Sequence, residues 1–80
     1  MRTRMHIVLL DQNDAITLVQ GLNKVQDTFV IENKNGTRRV NAKSMIGVMY
    51  TMMDYNAQTY LVNDDHDGEF PEFVKAFEVA

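Results

Sequence analysis

Short apolar runs alternate with polar breaks along the chain, and the spacing of the apolar positions changes from run to run. Residues 5–10 (Met5-His6-Ile7-Val8-Leu9-Leu10) are apolar on both parities, which predicts a strand covered on at least part of both faces. Asp11-Gln12-Asn13-Asp14 stops it with three good N-cap residues, and Ala15, Leu18, Val19 and Leu22 then recur at helical spacing. A helix is expected over about 14–24, slightly weakened by Gly21. Residues 28–32 are β-rich, Lys34-Asn35-Gly36 is a turn signal and 37–40 returns, an antiparallel hairpin. Ser44 places a hydroxyl where an unpaired first-turn amide needs an acceptor, so a second helix is expected from there through Met53. Asp54-Tyr55-Asn56 closes it, 58–62 is a further strand, and 63–69 an acidic loop. Pro71 suits the first turn of a last helix whose apolar face is Phe73, Val74 and Phe77. The order βαββαβα predicts an α+β fold, an antiparallel or mixed sheet with helices on one face.

Composition narrows the chemistry. Eighty residues, 45% hydrophobic and 24% charged, suffice for one domain, taken as residues 1–80. The absence of cysteine excludes disulfides, thiolate zinc sites and a cysteine nucleophile, and fits a reducing compartment. With only His6 and His66, multi-histidine metal sites are excluded as well, and no cofactor or metal is expected. A net charge of −3 argues against nucleic acid or an anionic membrane as partner. The opening MRTRMHIVLL is too short in its apolar part for a signal-peptide core, and no run approaches the roughly 20 apolar residues of a membrane span. A cytoplasmic location is therefore expected.

Val40-Asn41-Ala42-Lys43-Ser44-Met45-Ile46-Gly47-Val48-Met49 resembles the second-helix motif of HPr, the histidine-containing phosphocarrier of the bacterial sugar phosphotransferase system, and of its catabolite-repression paralogue Crh. In that family a strand ending in Val-Asn leads into a Lys-Ser dipeptide and an apolar helix with Gly and Met. Residues 15–24, with Leu18-Val19-Gln20, resemble the family's first helix, and βαββαβα is the family's order. The resemblance implies an open-faced sandwich: a four-stranded antiparallel sheet with three helices on one face. The chain departs from the family before the first helix, where a phosphocarrier has a Gly-x-His-Ala-Arg-Pro loop. Counted back without gaps, Asp11 occupies the histidine slot, Asn13 the arginine slot and Asp14 the proline slot, and a shortened loop is the alternative. Either way no imidazole is present to accept phosphate and no arginine to neutralise it.

The resemblance thus implies a regulatory or adaptor protein without carrier chemistry, and not an enzyme. It marks Ser44 as a regulatory phosphorylation site for an HPr kinase/phosphorylase-type kinase. A transcriptional regulator or phosphotransferase component would then bind through Lys43, Met45, Ile46 and Met49. Ser44 also reads as an N-cap, and phosphate there would suit the helix dipole. The second helix carries two apolar stripes, Ile46-Met49-Tyr50-Met53 and Met45-Val48-Met52. Packing on a sheet needs only one, so the other is expected as an exposed patch. Two rival readings are phosphotransfer through Asp11, otherwise an N-cap or turn residue, or through a histidine delivered by folding, and a self-associating structural domain with the surplus stripe as a homodimer seam. Arg38, Arg39, Lys43 and Lys34 form a basic cluster that is either solvated or holds an acidic partner or a phosphate near Ser44. Asn63, Asp65 and Asp67 before Gly68 open like a calcium loop, but Val74 stands where the bidentate glutamate belongs, leaving a solvated acidic loop. His66 among these carboxylates is expected to favour its protonated form, and His6 to be half-buried and structural.

Overall fold

The computed structural model describes residues 2–79, with the elements β1 (Met5–Ile7), α1 (Gln12–Leu22), β2 (Phe29–Glu32), β3 (Arg39–Asn41), α2 (Met45–Asp54) and β4 (Thr59–Asn63), then a 3-10 helix, Glu72–Phe77. All strand pairs are antiparallel, in the order β1-β4-β2-β3. Three helices lie against one face, so the α+β open-faced sandwich expected from the sequence is present. The last helix is a 3-10 helix rather than an α-helix: with Pro71 at its entrance it runs only six residues, and this tighter winding is used in short pieces.

Strand ends depart from the sequence expectation through their partners, and the ends of the first helix through its caps. The first strand stops at Ile7 instead of Leu10 because Ile7 pairs with Thr59, the first residue of β4, and beyond it the partner strand is absent. The first helix begins two residues before Asp14 because the Asp11 carboxylate accepts the Asp14 N–H at 3.0 Å, and it ends at Leu22 because both the backbone N–H and the side-chain amide of Asn23 turn back to Val19 O. The last strand is shifted by one residue, to Thr59–Asn63, in register with Phe29 opposite Asn63.

Alternation sorts each strand between the two faces. Met5, Ile7, Phe29, Ile31 and Leu61 join Leu18 and Leu22 of α1, Val48 of α2 and Val74 in one core between sheet and helices. Two glycines set how closely the helices approach. A Cβ on Gly21 would lie 2.3 Å from the ring of Phe73, and one on Gly47 would lie 2.3 Å from Val40 Cγ1. The first contact seats the 3-10 helix on α1, and the second seats the start of α2 on β3. The outer edge of β1 is covered by the end of the described chain: Val8 N–H donates to Phe77 O, Val79 N–H donates to His6 O, and Ile7 bridges to Glu78. This cover removes one of the two free edges of the sheet. No helix among the described residues is long and apolar enough to cross a membrane.

Candidate protein-docking site at the second helix

The turn from β3 into α2 is held by side chains on both sides. Asn41 accepts the Lys43 N–H on its side-chain oxygen and the Ser44 N–H on its carbonyl. Asn23, at the end of α1, donates to Lys43 O at 3.2 Å, and the Lys43 ammonium donates to Val25 O at 2.5 Å. Ser44 is extended (φ −98°, ψ 119°), and its hydroxyl oxygen accepts the Gly47 N–H at 3.2 Å. The expected cap is therefore in place, half-buried at the mouth of the helix. With no acidic residue in the first turn of α2, its remaining amides meet no carboxylate of their own helix.

The two apolar stripes of α2 separate as the spacing requires. Val48 is buried, Met45 and Met52 are half-buried against the core, and Thr51, buried between them, returns its hydroxyl proton to Val48 O at 2.7 Å. On the opposite side Ile46 is 83% exposed, Met53 86%, Tyr50 47% and Met49 37%. Leu10, 82% exposed, adds an apolar side chain in the loop that precedes α1. Of the residues expected to bind a partner, Ile46 and Met49 lie on this open face, whereas Met45 packs inward and Lys43 is tied to Val25.

The remaining candidates are dispersed. Asp11 caps α1, while Ser44 sits beside the other end of that helix through the Asn23–Lys43 contact. Eleven residues of α1 hold them about 16 Å apart along its axis, so they do not form one site. The basic cluster divides in the same way. Arg38 pairs with Asp54, Arg39 with Glu32 and Asp64, and the Lys34 ammonium has no ion pair among the described residues.

In the acidic loop the carboxylates face backbone and side-chain donors rather than one another. Asp65 accepts from Thr28 N–H at 2.6 Å and Asp67 from Thr3 N–H at 2.7 Å, while the Asn63 amide holds Asp27 and Glu69 O. Among the described residues no three acidic or histidine side chains are grouped to hold a metal. His66 is indeed shifted toward its protonated form, first by its hydrogen bond to Asp27 at 3.0 Å and only then by Glu69 and Asp65. His6 is half-buried, stacked on Tyr60 at 4.7 Å with Nε2 3.1 Å from Ala57 O.

One feature of the surface was not visible in the sequence. On the helix-free face of the sheet, Arg2–Asp64–Arg39–Glu32–Arg4 forms a continuous chain of ion pairs at 2.6–3.4 Å, and Arg4 lies over the Tyr60 ring at 4.1 Å. Charges so far apart in sequence meet only because Glu32 pairs with both Tyr60 and Arg39 in the sheet register. No family model matches the chain, no curated protein is significantly similar to it, and no solved structure matches it.

Proposed function

We propose that this is an HPr-like regulatory or adaptor protein, not an enzyme and without phosphocarrier chemistry, that docks a protein partner through the exposed face of α2. The observation that carries this reading is the surplus apolar stripe Ile46-Met49-Tyr50-Met53, on a helix with no charged residue before Asp54. Exposed methionines adapt to more than one partner surface, and a contiguous apolar face of this kind marks an interaction site. Ser44 is the regulatory position at the edge of that face. A phosphate there adds a charge of about −1.5 to −2 beside the first-turn amides of α2, which leaves the fold intact and changes the docking surface. The partners in view are a kinase of the HPr kinase/phosphorylase type and a transcriptional regulator or phosphotransferase component, in the cytoplasm.

Asp11 supports carrier chemistry poorly, because its carboxylate already accepts the Asp14 N–H and no cation among the described residues pairs with it. Incubation with an HPr kinase and ATP is expected to place phosphate on Ser44, read by mass spectrometry; an unmodified Ser44 removes the regulatory part. Ile46→Asp and Met53→Asp are expected to abolish partner capture while leaving the fold unchanged. If sedimentation instead shows a dimer that either substitution dissociates, the face is occupied by a second copy of the chain.

A further inference from the structure

An open cleft of about 230 Å³ lies between the β2–β3 turn and the loop that leaves α2. It is lined by Lys34, Asn35, Arg38, Tyr55, Asn56 and Gln58, with Asp54 beside Arg38. Three independent features make it more than a surface irregularity. The first is Tyr55, only 5% exposed, whose hydroxyl is buried without a hydrogen-bond partner among the described residues. A buried hydroxyl left unpaired is costly, and native structures rarely tolerate one without a reason. The second is the backbone of the loop: Asn56 (φ 53°) and Ala57 (φ 60°) are consecutive left-handed residues, and neither is glycine. Alanine has no side-chain hydrogen bond to offset that conformation, and such strain collects at functional sites. The third is the ammonium of Lys34, unpaired among the described residues, on the facing wall.

Tyr55 lines the cleft together with Arg38 and Asp54, and its ring meets that of Tyr50 edge-on at 6.2 Å. Arg38 and Asp54 are surface side chains, 58% and 40% exposed, paired with each other at the cleft. The lining is rich in donors: an ammonium, a guanidinium, the phenol and four side-chain amides, those of Asn33, Asn35, Asn56 and Gln58. Its single ionised acceptor, Asp54, is already held by Arg38 and Tyr50. An acceptor-rich, negatively charged guest is the complement of that set.

We infer that this cleft binds a small oxyanion-bearing molecule, its phosphate or carboxylate group held by Lys34 and the loop amides and accepting the Tyr55 hydroxyl proton. The cleft has room for more than the anion itself, and its lining includes neither Ser44 nor Ile46, Met49 or Met53; it meets the docking face only through Tyr50, whose hydroxyl bonds Arg38 and Asp54, so substitutions at Tyr55 and Lys34 test it apart from the docking function.

Titration of the labelled protein with inorganic phosphate and, separately, with acetate tests this, with chloride at matched ionic strength as control. Saturable shifts in the amides of Asn35, Asn56 and Gln58, in the millimolar range, are expected with at least one of the two anions. Tyr55→Phe is expected to melt no lower than the parent, since no protein hydrogen bond is lost, and to weaken binding about tenfold. Lys34→Ala weakens it comparably. Equal shifts with chloride, unchanged binding in both variants, or a markedly lower melting temperature for Tyr55→Phe would each overturn the assignment.

Discussion

Gly21 and Gly47 both sit inside helices, where glycine is ordinarily a cost of about 1 kcal/mol relative to alanine, yet each is seated against a side chain that leaves no room for a Cβ. The two differ in what stands in the way. At Gly47 the obstacle is Cγ1 of Val40, a short β-branched side chain fixed in β3; at Gly21 it is the far end of the half-buried Phe73 ring, which is able to swing outward. Overpacking of roughly 1–3 kcal/mol at Gly47 outweighs the helix-propensity gain, so Gly47→Ala is expected to lower stability by about 1 kcal/mol in chemical denaturation. Gly21→Ala is expected to be nearer neutral, with the loss appearing as loosened packing of Phe73, measurable in the ring's NMR signals. Ser44→Ala removes the acceptor for Gly47 N–H and is expected to cost about 1 kcal/mol, a cost that a phosphorylated serine would not share.

At the scale of elements, periodicity and caps made most of the fold legible, since each depends on neighbours within a few residues. The helical spacing from Ala15 to Leu22, the Lys34-Asn35-Gly36 turn and the Ser44 cap all act locally, and all three are present. Where strands ended was not legible, because a strand is as long as its partner: residues 8–10 have β-forming character, but β4 begins only at Thr59, opposite Ile7. The cover of β1 by Glu78 and Val79 is equally non-local. The candidate site divides in the same manner. Two stripes on α2 were countable from sequence, but which of them faces the core depends on where α2 rests on the sheet, which placed Met45 inside and Met53 outside. Tyr55 carried no sequence signal at all, as nothing local distinguishes a buried hydroxyl with a partner from one without. For the exposed stripe the consequence is that Ile46→Asp and Met53→Asp should change stability by no more than about 0.5 kcal/mol. A melting temperature far below that of the parent would show that the stripe is covered within the chain itself.

Across the whole molecule, the sheet is clamped on its open side by polar groups rather than by a second layer. Glu32, only 8% exposed, lies between Arg4 and Arg39, and Asp64 joins Arg39 to Arg2. Glu32→Gln is expected to destabilise by about 1 kcal/mol, because it removes the carboxylate that faces the partly buried Arg4 guanidinium and leaves Arg39 with Asp64 alone. A second clamp joins the acidic loop to the start of β2, and it responds to pH. The hydrogen bond to Asp27 holds the His66 imidazole above its ordinary value of 6.5, while Asn63 first and His66 second hold Asp27 below its ordinary 3.8. A raised imidazole contributes stability in full below 6.5 and loses it as pH rises through its folded value; a lowered carboxylate contributes above 3.8 and loses it as pH falls through its own. The clamp is therefore complete only between these limits, on the mildly acidic side of neutrality. Asp27 faces His66 from the α1–β2 connection, and Glu69 and Asp65 act on it from its own loop. Following the His66 ring protons by NMR should give a midpoint above 6.5 in the parent, and a lower one in Asp27→Asn, which removes the principal cause. His66 is mostly in solvent and Asp27 half-buried, so the accompanying change in stability is small and is screened by salt. It should be seen as a difference in melting temperature between parent and His66→Ala that is present below neutrality and vanishes at alkaline pH. A difference that instead grew toward alkaline pH would mean that the imidazole is held by its neutral form, and that Asp27 is not its partner.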